Sequence, residues 1–232
     1  VMNITNSPNA IINWQNFSNS QSEITRFIQH HSQSAVLNRV IGGNPSNILG
    51  QLLSNGQVFL INPNGIVFGA GSVIDTQGLL ASTLNISNDD FLNGNFHFIA
   101  GSSTADILNE GIIHAGKDGN VVLIAPNINN SGIIQTDGGS ITLAAGEELS
   151  IASMADPSIR FQVQAAENEA LNLGELLANG GVINIFAGQI SNSGAINANA
   201  VDVDANGQIN LIAVSDITLT DTGVVSANGS QG

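Results

Sequence analysis

Cysteine and tyrosine are absent from this chain of 232 residues, and the other aromatic residues are few, nine Phe and one Trp. Without cysteine, disulfide bonds and thiolate chemistry are excluded. The shortage of large aromatic side chains is typical of a narrow core filled by Val, Ile, Leu and Ala. Only five Pro interrupt the chain, which favours continuous ladders of backbone hydrogen bonds.

Basic residues are also scarce, since Arg26, Arg39, Lys117 and Arg160 stand against 18 acidic residues. Up to residue 74, two Arg and one Glu give a balance of +1; from residue 75 onward, two basic and 17 acidic residues give −15. Because an acidic surface repels phosphate groups, binding to nucleic acid or directly to anionic membranes is disfavoured. No run of 18 apolar residues occurs, so no helix is expected to span a bilayer.

What the chain has instead is a repeated phrase, G-x-[V/I]-x-[L/I]-x-A. It begins at Gly119, Gly139, Gly181 and Gly207, with a variant at Gly56, so its steps of 63, 20, 42 and 26 residues correspond to units of about 21. Each unit alternates apolar and polar residues with period two, which indicates strands. The repeat therefore predicts an all-β solenoid of about ten layers spaced by ~4.8 Å, roughly 50 Å long.

Two details of the layers follow from the same repeat. Alternate apolar residues should point inward in aligned columns, namely Val121 and Leu123, Ile141 and Leu143, Ile183 and Ile185, and Ile209 and Leu211. The 31 Asn gather at phrases such as NSG and NPNG. Asn tolerates left-handed backbone at tight corners, and stacked Asn side chains bond to one another, so these phrases predict aligned corners.

The rhythm divides a single domain, residues 1–232, into segments. We predict a non-repetitive N-terminal cap at 1–55, first layers at 56–84, an extra-helical hairpin at 85–105, layers at 106–151, an excursion at 152–180 and layers at 181–232. The excursion is predicted to hold a strand in IRFQVQ and a helix in ENEALNLGELLAN. The chain begins in strand-like sequence, without the charged and then apolar residues of a signal peptide, and it ends within a repeat. Both features are expected of a piece of a longer protein.

The residues offer little material for catalysis, for a metal or for a cofactor. The motifs of hydrolases, zinc proteases and phosphate-binding loops do not occur. The four histidines lack partners at metal-ligand spacing and are interpreted as surface or turn residues: His30, His31, His97 and His114. Two acidic pairs, Asp89 with Asp90 and Asp202 with Asp204, could bind Ca²⁺ weakly. Because the calcium-binding nonapeptide is absent, the preferred interpretation is a solvated face for each pair.

Three residues of the predicted cap have structural interpretations. Arg26 and Arg39 are expected to pair with Glu23 or with carbonyl groups at the mouth of the solenoid. Trp14, in IINWQNF, is expected to anchor the cap.

Residues 43–83, GNPSNILGQLLSNGQVFLINPNGIVFGAGSVIDTQGLLAST, resemble the secretion domain of two-partner-secretion exoproteins, the filamentous-haemagglutinin family. NPNGI at 62–66 is similar to the second signature of that family. AAENEALNLGELLANGGVINI, residues 165–185, is similar to the subgroup that contains the high-molecular-weight adhesins. The resemblance extends from INWQNF to the end of the chain.

The resemblance implies a right-handed parallel β-helix with an N-terminal cap and extra-helical elements. It also implies export from a Gram-negative bacterium, via the periplasm, to the cell surface or the medium. The implied partner is a dedicated outer-membrane transporter that selects the chain through periplasmic polypeptide-transport-associated domains. A monomer is expected, and the parent proteins of the family are adhesins, cytolysins or haem-acquisition proteins.

The resemblance also implies a role for the four residues of the NPNG signature, either in transporter recognition or in nucleating the fold: Asn62, Pro63, Asn64 and Gly65. The other family signature, NPNL, is replaced here by FIQHHSQ. The later phrase GNPSN is therefore interpreted as a subgroup feature, comprising Asn44, Pro45 and Asn47. The alternative function is an adhesive module that binds host glycans or proteins through the side of the solenoid, which would require an exposed aromatic patch.

Overall fold

The computed structural model describes residues 1–101, 105–163, 165–200 and 207–229, which form strands and one short helix. The first ten strands are β1 (Met2–Thr5), β2 (Ala10–Trp14), β3 (Ile24–Ile28), β4 (Ala35–Val40), β5 (Ser46–Ile48), β6 (Gln51–Ser54), β7 (Gln57–Ile61), β8 (Ile66–Phe68), β9 (Val73–Thr76) and β10 (Gly78–Ser82). Next come α1 (Asn88–Asn93), β11 (His97–Ile99), β12 (Ile107–Asn109), β13 (Ile112–Lys117), β14 (Val121–Ala125), β15 (Ile128–Asn130), β16 (Ile133–Asp137), β17 (Ser140–Ala145), β18 (Glu148–Ile151) and β19 (Ile159–Val163). The last are β20 (Glu169–Asn172), β21 (Glu175–Asn179), β22 (Val182–Asn192), β23 (Ala195–Asn197), β24 (Gln208–Leu219) and β25 (Val224–Ser226). In the described part of the chain, no helix has the length and apolar character needed to cross a membrane.

The strands wind into a parallel β-helix made of two long sheets. The first sheet has nine strands in the order β1-β3-β6-β9-β13-β16-β21-β23-β25. The second has 13, in the order β2-β4-β7-β10-β14-β17-β22-β20-β15-β12-β8-β5, with β24 paired to β22. Every pairing inside these two sheets is parallel. The predicted all-β solenoid is therefore confirmed, and the nine strands of the first sheet lie close to the ten layers expected.

The main core runs along the inside of the helix. Val121 pairs with Ile141, Ile141 with Ile183, and Ile183 with Ile209, so equivalent residues stack in one column. The inward-facing residues predicted in layers 121–185 are buried in this core, and Ile209 and Leu211 pack against it partly buried. The predicted inward columns are thus confirmed.

A second core, absent from the predictions, covers the outer face of the second sheet. It is built by α1 and by a three-stranded antiparallel sheet, β11-β18-β19, which lie against β4, β7, β10, β14 and β17. The strands β10, β14 and β17 are consequently buried at every position. The run VVLIA in β14 could have indicated the second core, because an uninterrupted apolar run is typical of a strand buried on both faces.

The helix predicted in ENEALNLGELLAN is wrong, because these residues form β20 and β21. Ala170 and Leu176 point into the main core, in ladders with Ile128 and Ile134. Pairing with strands on both sides outweighs the helix propensity of Glu, Ala and Leu. The second excursion therefore lies between β17 and β20, at residues 146–168, rather than at 152–180.

The predicted hairpin at 85–105 is confirmed only at its base, where Asn85 and Ile99 exchange two backbone hydrogen bonds of 2.9 Å in an antiparallel bridge. NDDF belongs to α1, where Ser87 Oγ accepts a hydrogen bond from Asp90 N and Gly94 ends the helix with a φ of 70°. The strand β11 pairs antiparallel with β18, from a later layer. The first excursion is thus a helix and a strand that complete a sheet with the second excursion.

The opening segment, predicted as a non-repetitive cap, consists of regular layers. β3 pairs with β6 and β4 with β7 in the registers of the later layers, and β1 and β2 form the terminal layer. The half-buried Trp14 donates from Nε1 to Asn38 Oδ1 at 3.0 Å and meets the Phe17 ring edge-on at 5.3 Å. Trp14 therefore anchors the terminal layer, as expected of it, although that layer belongs to the solenoid itself.

Candidate functional site

The NPNG signature forms a tight corner between β7 and β8. The Gly65 amide donates to the Asn62 carbonyl at 3.1 Å, which closes a four-residue turn. Gly65 has a φ of 113°, a conformation that residues with a Cβ resist. The Asn64 amide donates to Asn62 Oδ1 at 3.0 Å, the local bond by which Asn stabilises a turn.

Asn62 is fully buried and holds this corner together with its side chain. Its Nδ2 donates to the Asn44 carbonyl at 3.0 Å and to Ser46 Oγ at 2.9 Å. Its Oδ1 accepts from the Asn64 amide and from Asn64 Nδ2 at 3.1 Å. Both donors and both acceptor sites of the Asn62 amide are thus engaged within the chain.

The NPNG corner stacks on the corner of the preceding layer, residues 42–46. Asn64 Nδ2 donates to the Gly42 carbonyl at 2.8 Å, and the Ser46 amide donates to the Gly65 carbonyl at 2.9 Å. The structure therefore brings Asn44 and Pro45, both exposed, against the NPNG signature. Asn47 lies further on, in β5, where it is exposed and its amide donates to Ser18 Oγ at 3.0 Å.

The opposite side of the NPNG corner supports the base of the first excursion. The Asn62 amide donates to the Ser82 carbonyl at 3.0 Å, next to the point where the chain leaves the solenoid. The Ala105 amide donates to the Pro63 carbonyl at 3.0 Å where the chain returns. The motif is therefore enclosed between two layers, an arrangement that spacing along the sequence did not reveal.

Arg39 ties the same excursion to the second layer. Its Nη2 donates to the Ile86 carbonyl and its Nη1 to Asn88 Oδ1, both at 2.6 Å, and burial lowers the pKa of Arg39. The expected pairing with Glu23 is wrong, because the Glu23 carboxylate accepts from the Ser20 amide at 2.6 Å, a bond that lowers the pKa of Glu23. A carbonyl partner was expected for Arg39 at the solenoid mouth, whereas the observed carbonyl is that of Ile86, two residues before α1.

A ladder of asparagine side chains stabilises a second line of corners. Asn109 Nδ2 donates to Asn130 Oδ1 at 2.7 Å, Asn130 Nδ2 to Asn172 Oδ1 at 2.8 Å, and Asn172 Nδ2 to Asn192 Oδ1 at 2.7 Å. All four residues are buried. This confirms the expectation that Asn residues at equivalent corners bond to one another.

Among the described residues, two histidines each lie beside one carboxylate. His97 Nε2 lies 2.9 Å from Glu148 Oε1, and His114 Nδ1 lies 2.9 Å from Asp75 Oδ1. Among the described residues, no group of three or more His, Cys, Asp or Glu is arranged to hold a metal. Asp89 and Asp90 lie in the first turn of α1. Residues 202 and 204, the other acidic pair, lie outside the described residues.

Comparison with known proteins identifies the family. A family model described as the TPS secretion domain matches residues 1–229. A crystal structure of the HMW1 secretion domain from Haemophilus influenzae superimposes with a TM-score of 0.96 at 44% identity, over 99% of this chain and 62% of that one. Two heme/hemopexin-binding proteins of Haemophilus influenzae are 34% and 36% identical over 80% and 46% of this chain. This chain covers only 20% and 11% of their lengths. The matched family is one of secretion domains rather than of enzymes, and this chain belongs to the TPS secretion domains, the β-helical domains of two-partner-secretion exoproteins.

Proposed function

We propose that this chain is the N-terminal secretion signal of a large exported surface protein and that its β-helix forms after export. A dedicated outer-membrane transporter selects it through periplasmic transport-associated domains, and the protein reaches the cell surface or the medium of a Gram-negative bacterium as a monomer. Membership of the TPS secretion domains supports this proposal.

The NPNG corner acts in this proposal as a nucleus for folding. The observation that carries it is the burial of Asn62, whose side-chain hydrogen bonds all stay within residues 44–64. A buried and satisfied amide has no free group for a transporter to contact. It does join two successive layers, which is what the first step of a stacked fold requires.

Recognition by the transporter is assigned instead to the exposed residues around this corner and to the N-terminal part, residues 1–84. Asn44, Pro45 and Asn47 are exposed on the corner that NPNG stacks upon. Up to residue 74 the charge balance is +1, whereas the remainder is strongly acidic. The transporter reads this part unfolded or partly folded, because a finished rod is too wide for a barrel pore of modest strand number.

A secretion assay separates the two roles. The chain is fused to a passenger, expressed with its transporter, and the passenger in the medium is measured for Asn62→Ala and for Asn47→Ala, a substitution on the exposed corner. We expect Asn62→Ala to lower both export and the urea midpoint of the purified chain, while transit across the inner membrane is unchanged. Asn47→Ala is expected to leave the urea midpoint unchanged and to lower export if the exposed corner is read directly.

Deletion of residues 1–84 tests the location of the signal. Loss of the passenger from the medium is expected. Normal export of the shortened protein would contradict the assignment of recognition to this segment. Normal export of Asn62→Ala would contradict a special role of the NPNG corner.

The alternative of a directly adhesive module receives less support from the structure. Every aromatic side chain described is buried or half-buried, so the described surface offers no exposed aromatic patch for a sugar. The heme and hemopexin binding in the names of the two relatives belongs to those longer proteins, so we propose only the export role for this chain. Tight binding of the folded chain to host glycans, with export intact after deletion of 1–84, would favour the adhesive module.

A further inference from the structure

The outer face of the second sheet carries a continuous apolar column. Register places Leu37 beside Phe59, Phe59 beside Leu80, and Leu80 beside Val122. These four side chains come from four successive layers, and all are fully buried. Because they point away from the inside of the solenoid, another part of the chain must cover them.

Each excursion supplies part of that cover. The first contributes Phe91, from α1, and Phe98, from β11, and the Phe91 ring meets Phe59 edge-on at 5.1 Å. The second contributes Leu149, Ile151 and Met154. Phe98 is fully buried and Leu149 is 1% exposed, so the cover is complete only when both excursions are in place.

The two excursions also bond to each other. Phe98 pairs with Leu149 in the antiparallel ladder of β11 and β18, and the Ala100 amide donates to the Glu147 carbonyl at 2.8 Å. The Ile151 amide donates to the Phe96 carbonyl at 3.0 Å. Within the first excursion β11 has one antiparallel bridge, from Ile99 to Asn85, so its three-residue ladder comes from a strand about 50 positions later in the chain.

The tip of the second excursion is fastened back onto the solenoid. Asn120 Nδ2 donates to the Met154 carbonyl at 2.7 Å, and Asn120 Oδ1 accepts from the Ser140 amide at 2.7 Å. One buried asparagine thus joins the excursion to two layers at once. The segment crosses the outer face of the sheet and is held there at Met154 and along β18.

Among the described residues, none forms such a cover over the later layers. At the positions equivalent to Val122, β22 and β24 carry Asn184 and Asn210, which bond to each other at 2.8 Å. At the adjacent outward position, Ile212 is 53% exposed. In these layers polar or at least partly exposed side chains take the outward positions, as in a stack whose repeats contact mainly their neighbours.

We infer that residues 146–163 form a strap, whose docking converts the layers from β4 to β17 into one cooperative unit. Before the strap docks, the apolar outer face of these layers has only the cover of the first excursion, and β11 has only its single bridge from Ile99 to Asn85. After it docks, opening any of the five layers disturbs the second core shared by all of them. The coupling depends only on the fold; its timing, after these layers have been exported, rests on the proposed function.

Hydrogen exchange of the purified full-length chain, followed by mass spectrometry, tests the strap. Leu149→Ala removes its central contact in the second core, and Leu176→Ala, in β21, is the matched control in the main core. We expect Leu149→Ala to accelerate exchange by about tenfold or more throughout β4, β7, β10, β14, β17, α1 and β11 together. Leu176→Ala is expected to accelerate exchange mainly in β16, β21 and β23.

Acceleration confined to residues 146–163 in Leu149→Ala would overturn the inference. If that variant does not fold, Met154→Ala, nearer the edge of the second core, is measured in its place, with the same pattern expected and the same confined result counting against the strap. No transporter is present in this experiment. A negative result in the secretion assay would therefore not affect the inference about the strap. A negative result in the hydrogen-exchange experiment would not affect the proposed secretion role.

Discussion

Substitution of Asn62 by Ala is the sharpest perturbation that the NPNG corner offers. The change removes four hydrogen bonds, two to the Asn44 carbonyl and Ser46 Oγ and two from Asn64. Asn44 is exposed and Asn64 half-buried, so water can replace their lost partner at a cost of about 0.5–1 kcal/mol each. Ser46 is fully buried and keeps an unsatisfied hydroxyl, which costs about 1–3 kcal/mol. The expected loss in the free energy of unfolding is therefore about 3 kcal/mol.

Urea unfolding followed by far-UV circular dichroism measures this loss, and Trp14 fluorescence reports separately on the terminal layer. Asn47→Ala is the matched control, because that residue is exposed and its backbone hydrogen bond to Ser18 Oγ is retained. A surface substitution of this kind is expected to change stability by less than about 0.5 kcal/mol. A loss of less than about 1 kcal/mol for Asn62→Ala would refute the enclosed corner as a stabilising element.

Three further substitutions or titrations probe other contacts. Asn130→Ala breaks the asparagine ladder on both sides, and we expect a loss of about 2–3 kcal/mol in urea unfolding, against little change for the exposed Asn93→Ala. Arg39→Met removes the bonds to Ile86 and Asn88, so faster hydrogen exchange is expected in α1 with little change in β21. The pKa of Glu23, lowered by its bond to the Ser20 amide, should give stability that is present above the ordinary Glu pKa and lost as pH falls through the lowered value; an NMR titration that finds an ordinary pKa would contradict this.

The inside of the solenoid could be predicted from the sequence because it depends on local periodicity. A repeat near 21 residues forces equivalent residues into register, so the side chains at Val121 and Ile141 had to share a column. The same register placed Asn109 above Asn130. Both predictions need only the repeat length and the alternation of side chains along a strand.

The outside could not be predicted in the same way, because its contacts join segments that no repeat relates. Arg39 and Asn88 are 49 residues apart, and β11 finds its partner in β18. One local signal was available for α1, since Ser87 and Asp90 form a capping pair, with Ser87 Oγ 2.7 Å from Asp90 Oδ2. At 169–179, in contrast, composition favoured a helix, and pairing with the strands on either side decided the outcome.

The NPNG signature and both excursions occupy one line of corners, between the second and third strands of their layers. Residues 41–45 join β4 to β5, and NPNG joins β7 to β8. The first excursion lies between β10 and β12, and the second between β17 and β20. An excursion replaces the tight turn of its own layer, so the turn below must fix where the chain leaves and returns. Asn62 and Pro63 do this through their bonds to Ser82 and Ala105. The signature thus fixes the two ends of the first excursion, which covers part of the second core. This gives a physical reason for a rigid turn at the third layer, between β7 and β8, rather than elsewhere in the stack.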